Sequence, residues 1–139
     1  MDDINIEQIV PQLTWQLRRD VLYPQQNKFE MEMPEDVDGI HFGAFSNNAL
    51  VAVVSVFRDG YDFQFRKLAV DASAQNKGIG SKLLGYITDF AINEGGKKLW
   101  CNARLTAIQF YLNHGFIQTG NLFSKNGIDY EVLEKKLSA

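Results

Sequence analysis

Hydrophobic positions change their period along the chain, and each change marks a new element. Residues 3 to 9 alternate around Ile4 and Ile6, the two-residue period of a strand covered on one face, and read as an edge strand. Pro11 suits the first turn of a helix that carries Leu13, Leu17 and Val21 at helical spacing until Pro24 stops it. From Gln25 to Asp38 the period is lost. This segment is polar and acidic (Glu30, Glu32, Glu35, Asp36, Asp38) and is expected to be a functional loop, a candidate substrate lid. Three strand-like runs follow, Gly39 to Ser46, Leu50 to Phe57 and Tyr61 to Val70, separated by Asn47-Asn48 and Asp59-Gly60. Both pairs tolerate positive φ, so the three runs predict an antiparallel meander.

The period then switches to helical. Ile79, Leu83, Leu84, Ile87, Phe90 and Ala91 share one face of a helix expected from about Gly78 to Glu94, with Gly95-Gly96 as its left-handed stop. Lys98 to Asn102 reads as a short buried strand and Thr106 to His114 as a helix ended by Gly115. Phe116 to Thr119 and Ile128 to Leu133 close the order β-α-β-β-β-α-β-α-β-β, that of an α+β domain.

Composition narrows the function classes. The 139 residues are 45% hydrophobic and 22% charged, with 10 Phe, 5 Tyr and 2 Trp, the balance of a single domain spanning residues 1–139. A chain of this length removes roughly two-thirds of its unfolded surface from water. A net charge of −3 with no basic stripe gives no attraction for nucleic acid. The longest nearly apolar run, Ala49 to Phe57, falls well short of the about 20 residues of a membrane span. The opening Met1-Asp2-Asp3 lacks a secretory pattern and Cys101 stands alone, so a cytoplasmic protein is expected. One cysteine and two histidines cannot assemble a four-ligand Cys/His zinc site, and no metal is expected.

The densest chemical signal is Leu68-Ala69-Val70-Asp71-Ala72-Ser73-Ala74-Gln75-Asn76-Lys77-Gly78-Ile79-Gly80-Ser81: a strand, a polar turn, two glycines, then an amphipathic helix. Glycines let a ligand approach the backbone, and the unpaired N–H groups of a first helical turn favour an anion such as phosphate. Gln75 and Lys77 can add donors. The same letters also describe a helix that simply begins with glycines. A P-loop is excluded, because no glycine stands five before Gly78 and Ile79 follows it. A dinucleotide fingerprint fits poorly, with Leu83 three after Gly80 and a meander rather than a βαβ unit before it.

Gln75-x-x-Gly78-x-Gly80 after Leu68-Ala69-Val70 resembles the acyl-CoA motif of the GNAT family of N-acetyltransferases. Ala107-x-x-Phe110-Tyr111-x-x-x-Gly115-Phe116 resembles the second signature of that family, at its usual distance. The resemblance covers about Phe42 to Thr119, and Leu17-Arg18 to Pro24 with Trp100 to Arg104 are similar to a branch of small single-domain members. It implies the GNAT α/β (α+β) fold, a central mixed, mostly antiparallel sheet flanked by helices. It implies a transferase that moves an acetyl group from acetyl-CoA to a primary amine by direct attack in a ternary complex. A non-catalytic acyl-CoA-binding or interaction module keeping this fold is the alternative reading.

Carried over residue by residue, the resemblance implies that the backbone of Leu68, Ala69 and Val70 pairs with the pantetheine amides while Asn76, Lys77, Gly78, Ile79, Gly80 and Ser81 surround the pyrophosphate. Gln75, Asn102, Ala107 and Phe110 complete the CoA-binding set. The Tyr111 hydroxyl is placed to protonate or hydrogen-bond the CoA sulfur, and a backbone N–H near Leu68 to Val70 polarises the thioester. Three positions depart from the family pattern: Asn102 stands where many relatives have glutamate, Arg104 replaces an asparagine and Ala72 a proline. An amide cannot take the amine's proton, so Glu30, Glu32, Asp62 or a water chain are the remaining acceptors. Cys101 reads as a small buried hydrophobe and His114 as a helix C-terminal cap. An open sheet edge could pair in a homodimer, but no residue anchors it and oligomeric state stays open.

Overall fold

Alternation along the strand-like runs records a sheet whose two faces meet different surroundings. A computed structural model of the protein describes residues 3–137. Its seven strands are β1 (Ile4–Ile9), β2 (Ile40–Ser46), β3 (Ala49–Asp59), β4 (Asp62–Val70), β5 (Lys98–Arg104), β6 (Ile117–Lys125) and β7 (Ile128–Lys136). They hydrogen-bond in the order β1-β2-β3-β4-β5-β7-β6, which puts β1 at an edge as expected. β1 with β2, β2 with β3, β5 with β7 and β6 with β7 are antiparallel, whereas β4 meets β5 in parallel at Asp62–Lys98, Phe63–Leu99 and Gln64–Trp100. The helices are α1 (Trp15–Leu17), α2 (Ile79–Asn93) and α3 (Ile108–Leu112). This is the α+β order read from the sequence.

The chain forms two compact units, one from the chain up to Phe57 with Phe65–Ile87, the other from Arg58–Gln64 with the chain from Thr88. In the first, Leu17, Val53 and Ala69 form a buried cluster with Ile9, Val21, Leu22 and Leu50 packed against it. Asn47 (φ 51°) and Asn48 (φ 68°) make the left-handed β2–β3 turn, and Phe42 of β2 meets Tyr86 of α2 edge to face. In the second, Phe63 packs against Phe90, and a side chain on Gly96 would collide with Phe63 and the Ala91 carbonyl. The β3–β4 turn sits one residue later than predicted, on Gly60 and Tyr61, with only the glycine left-handed.

The region after Pro11 departs from its predicted face. It is a 3₁₀ turn (Pro11–Thr14), then α1, then a π turn (Arg18–Leu22). Leu13, expected to face the core, is 49% exposed, while Thr14 and Arg18 point inward with Leu17. Inward polar groups are tolerated because Thr14 Oγ1 and both terminal nitrogens of Arg18 are bonded, although the buried Arg18 Nε has no hydrogen-bond partner. Thr14 Oγ1 donates to the Pro11 carbonyl at 2.6 Å. Arg18, 1% exposed, grips the Asp36 carboxylate with two 2.9 Å bonds and donates also to the Met31 carbonyl and Ser55 Oγ.

Those bonds explain why residues 25–38 are not an open loop. The segment folds into two 3₁₀ turns, Lys28–Met31 and Pro34–Asp38, the first capped by Asn27 with Glu30 returning a bond to the Asn27 N–H. Beneath the second, His41 Nε2 donates to the Asp36 carbonyl at 2.9 Å. A carbonyl can only accept, so in the neutral ring Nδ1 accepts the Ser55 hydroxyl at 2.7 Å.

Removing one member of a buried ion pair strands the other and costs about 3–5 kcal/mol; Arg18→Met is expected to lose that much in urea denaturation. Burial pushes the Asp36 carboxyl up, but the Arg18 hydrogen bonds, the Met33 N–H and the Arg18 charge outweigh it and hold it below its ordinary value of 3.8. A lowered carboxylate stabilises the fold fully above that value, and the contribution is lost as pH falls through the lower folded value. Asp36→Asn should therefore flatten the acid limb of a stability-against-pH curve.

Candidate functional site

In the first unit the predicted motif is one continuous structure. β4 carries Leu68, half-exposed Val70 and buried Ala69, and Lys67, just before them, has φ 58° inside a strand. A left-handed lysine costs roughly 1–2 kcal/mol, and such strain persists only where surrounding contacts hold it. After Val70 the Asp71 N–H bonds the Val51 carbonyl at 2.7 Å, and the Asp71 side chain caps the turn Ala72–Ala74 by accepting from the Ser73 N–H and hydroxyl. Gln75 Nε2 donates to the Val70 carbonyl at 2.9 Å, so this predicted ligand donor also closes the loop.

Beyond Gln75 the backbone turns left-handed at Asn76 (φ 64°) and Gly78 (φ 79°), and α2 starts at Ile79. The Ile79 side chain is buried, which leaves its N–H as what it can offer a ligand, while Asn76, Lys77 and Gly78 are exposed. A Cβ on Gly78 would meet no protein atom within 4 Å. Glycine stands there for its φ and for the open space above it, a cradle that a side chain would fill. The N-terminal end of α2, where the helix macrodipole favours negative charge, shares this turn with Lys77. Its chemistry suits an anion with several oxygens.

The second unit carries the remaining predicted residues. Asn102 on β5 is exposed between inward-facing Cys101 and Ala103. Ala107 ends a 3₁₀ turn that leads into α3, which bears Phe110 and Tyr111. The Tyr111 ring packs edge to face between Phe110 (5.1 Å) and Phe116 (5.8 Å). Burial, with a lesser effect from the Cys101 thiol, raises the Tyr111 phenol well above its ordinary 10, so at neutral pH it is a hydroxyl donor and never a base. Burial likewise pushes the Cys101 thiol up to about 12, as suits the small buried hydrophobe expected. His114 Nδ1 sits 2.7 Å from the Phe110 carbonyl and therefore donates to it, the C-terminal cap its position implied.

The carboxylates considered as proton acceptors lie at the surface. Glu30 is held in its capping box, Glu32 is exposed, and Asp62 faces the Lys98 ammonium at 3.7 Å. Among the described residues no group of three or more His, Cys, Asp or Glu is placed to hold a metal ion, and no helix is long and apolar enough to cross a membrane.

Two features had no signal in the sequence. One is the Arg18–Asp36–Ser55–His41 network, whose members are 5 to 37 residues apart in the chain. The other is Lys67, half-buried, whose Nζ bonds the Tyr23 hydroxyl and lies 4.5 Å from the Tyr23 ring centroid.

Comparison with known proteins agrees with this architecture. The sequence model of the acetyltransferase (GNAT) domain matches residues 8–137. An uncharacterized N-acetyltransferase, YitI, of Bacillus subtilis strain 168 is 22% identical over 142 residues, covering 96% of this chain and 95% of that protein. A candidate N-acetyltransferase from Lactobacillus plantarum superposes with a TM-score of 0.86 at 17% identity, over 97% of this chain and 99% of that one. A GNAT family acetyltransferase from Elizabethkingia anophelis, solved with acetyl-CoA bound, superposes with a TM-score of 0.77 at 21% identity, over 99% and 100% of the two chains. With a left-handed glycine turn opening α2, a buried tyrosine on α3 and a domain match across nearly its whole length, the chain belongs to the GNAT acetyltransferase family.

Proposed function

We propose that the protein transfers an acetyl group from acetyl-CoA to a primary amine by direct attack in a ternary complex, with residues 1–139 acting as one cytoplasmic N-acetyltransferase domain. The observation that carries this reading is the turn at Asn76–Gly78, left-handed at both ends and open above Gly78, leading into α2 in a chain matched to the family over residues 8–137. The donor bound in the Elizabethkingia relative has the diphosphate that such a turn suits. Asn76, Lys77, Gly78, Ile79, Gly80 and Ser81 hold it chiefly through backbone N–H groups. Leu68, Ala69 and Val70 pair with the pantetheine amides as an added strand would. Support for this comes from β4 itself, which runs on to Val70 after its parallel pairs with β5 end at Gln64. Asn102, Ala107 and Phe110 are the further CoA-binding positions of this reading.

Direct attack makes three demands: a neutral amine, a donor at the thioester oxygen and stabilisation of the departing thiolate. A backbone N–H of Leu68–Val70 serves the oxygen. Tyr111 serves the thiolate. A thiol loses its proton near pH 8.5, and a buried phenol holds its own more tightly than that, so full proton transfer from Tyr111 is uphill. Its role is a hydrogen bond to the developing charge. Asn102 cannot take the amine's proton, and with Glu30 capping a turn, Glu32 exposed at the surface and Asp62 beside Lys98, the proton passes to water.

Calorimetry with acetyl-CoA and thiol release with a panel of amines test this directly. Gly78→Val should abolish acetyl-CoA binding, since its side chain fills the cradle and strains a φ of 79°. Tyr111→Phe should bind normally but turn over about 10–100-fold more slowly, in line with the loss of one transition-state donor. Full turnover by Tyr111→Phe would remove that role from the tyrosine. In a pH–rate profile the ascending limb is expected to survive Glu30→Gln, Glu32→Gln and Asp62→Asn; its disappearance in one variant would identify a protein base instead.

A further inference from the structure

Three cations of the first unit belong to neighbouring stretches of structure, and two of them are matched. Arg18 pairs with Asp36 at 2.9 Å and Arg66 with Glu35 at 2.7 Å. Arg66 also lies over the Phe57 ring. Lys67 is different. Among the described residues it pairs with no carboxylate, and its Nζ meets the hydroxyl and ring of Tyr23.

A lysine in this setting would ordinarily swing its long stem into solvent. Here the Tyr23 contact holds it instead. Lys67 is left-handed within β4, whereas the other four non-glycine residues of positive φ, Asn47, Asn48, Asn76 and Asn126, are asparagines in turns. Tyr23, the other half of the contact, is fixed at the end of the π turn, where its N–H bonds the Arg18 and Arg19 carbonyls. Burial lowers the Lys67 ammonium below its usual range; the Tyr23 hydroxyl opposes this and the charges of Arg66 and Arg18 add to it. A half-buried, unmatched cation beside two further cations is a place where one negative charge is missing.

That place is one residue before Leu68–Val70, the stretch assigned above to the donor's pantetheine arm. We propose that the Lys67 ammonium, held in position by Tyr23, recognises a carboxylate on the amine acceptor, so that the acceptor class is amino acids and related amines bearing a carboxylate. An ammonium has three N–H bonds; one goes to Tyr23 and two remain for an incoming carboxylate. The count of charge also fits, because one unmatched cation balances one carboxylate while a dianionic phosphate would leave a charge over. The proposal rests on the acetyltransferase reading and deepens it. In the acidic segment 25–38, Glu35 and Asp36 are already taken up by Arg66 and Arg18.

The test uses matched acceptors that differ in one group: an amino acid, its carboxamide and its phosphonate. Calorimetric titration of each into the protein saturated with acetyl-CoA, followed by thiol-release kinetics, should show the acid preferred over the amide by at least about tenfold, the worth of one charge-assisted hydrogen bond. Lys67→Asn removes the charge while suiting the left-handed backbone, and should bring the acid-to-amide ratio to about one. Lys67→Arg should restore part of the preference. Equal binding of acid and amide by the native protein, or an undiminished ratio in Lys67→Asn, would overturn the proposal, and preference for the phosphonate would overturn the carboxylate assignment. Acetyl-CoA titrated alone reports separately on the donor site: its failure to bind would sink the acetyltransferase reading, and the acid-against-amide titrations of the free protein would still decide the role of Lys67.

Discussion

A guanidinium buried out of water organises the first unit. Arg18 cannot be desolvated without partners, and its partners come from three separate stretches: Met31 and Asp36 from the two 3₁₀ turns, and Ser55 from β3. Satisfying one side chain therefore fixes the positions of segments that share no hydrophobic period. Pairs of this kind contribute little net stability against an apolar alternative, but they are specific, because any arrangement that separates the members leaves a bare charge inside the protein. The shape of residues 25–38 follows from that constraint more than from its own sequence.

Legibility in the sequence divided along the same line. Features built from backbone and period were readable: the β2–β3 turn at Asn47-Asn48, the inward face of α2, the strand-turn-helix passage through Gly78, the cap at His114. Each depends on neighbouring residues or on a regular repeat. What could not be read depends on contacts at long range. Leu13 was placed inward by spacing alone, and the actual inward neighbours, Thr14 and Arg18, are polar residues whose burial makes sense only with Asp36 and Ser55 in view. Nothing in the letters of β4 marks Lys67 as left-handed. Asn126-Gly127, by contrast, is a legible turn signal: with φ of 52° and 77° it forms the β6–β7 turn, and β6 runs on to it, past Thr119 where the hydrophobic pattern ends.

The same division separates the donor and acceptor sides of the proposed reaction. A diphosphate and a pantetheine arm can be held by N–H and C=O groups, which every residue has, so the requirement falls on conformation and appears as glycines at fixed spacing. An acceptor has no such shared element. Its recognition falls to side chains such as Lys67 and Tyr23, 44 residues apart, and these carry no motif. A family assignment thus describes the donor chemistry well and says little about what receives the acetyl group.

The burial of Cys101 has a practical corollary. Alkylating reagents attack the thiolate, and burial both pushes the Cys101 thiol up to about 12 and shields it from solvent. The native protein is therefore nearly silent to maleimides. A single cysteine introduced at an exposed position, such as Val37 in the turn after Pro34, would be the one site to take a dye, spin label or crosslinker, with no need to remove the natural residue first.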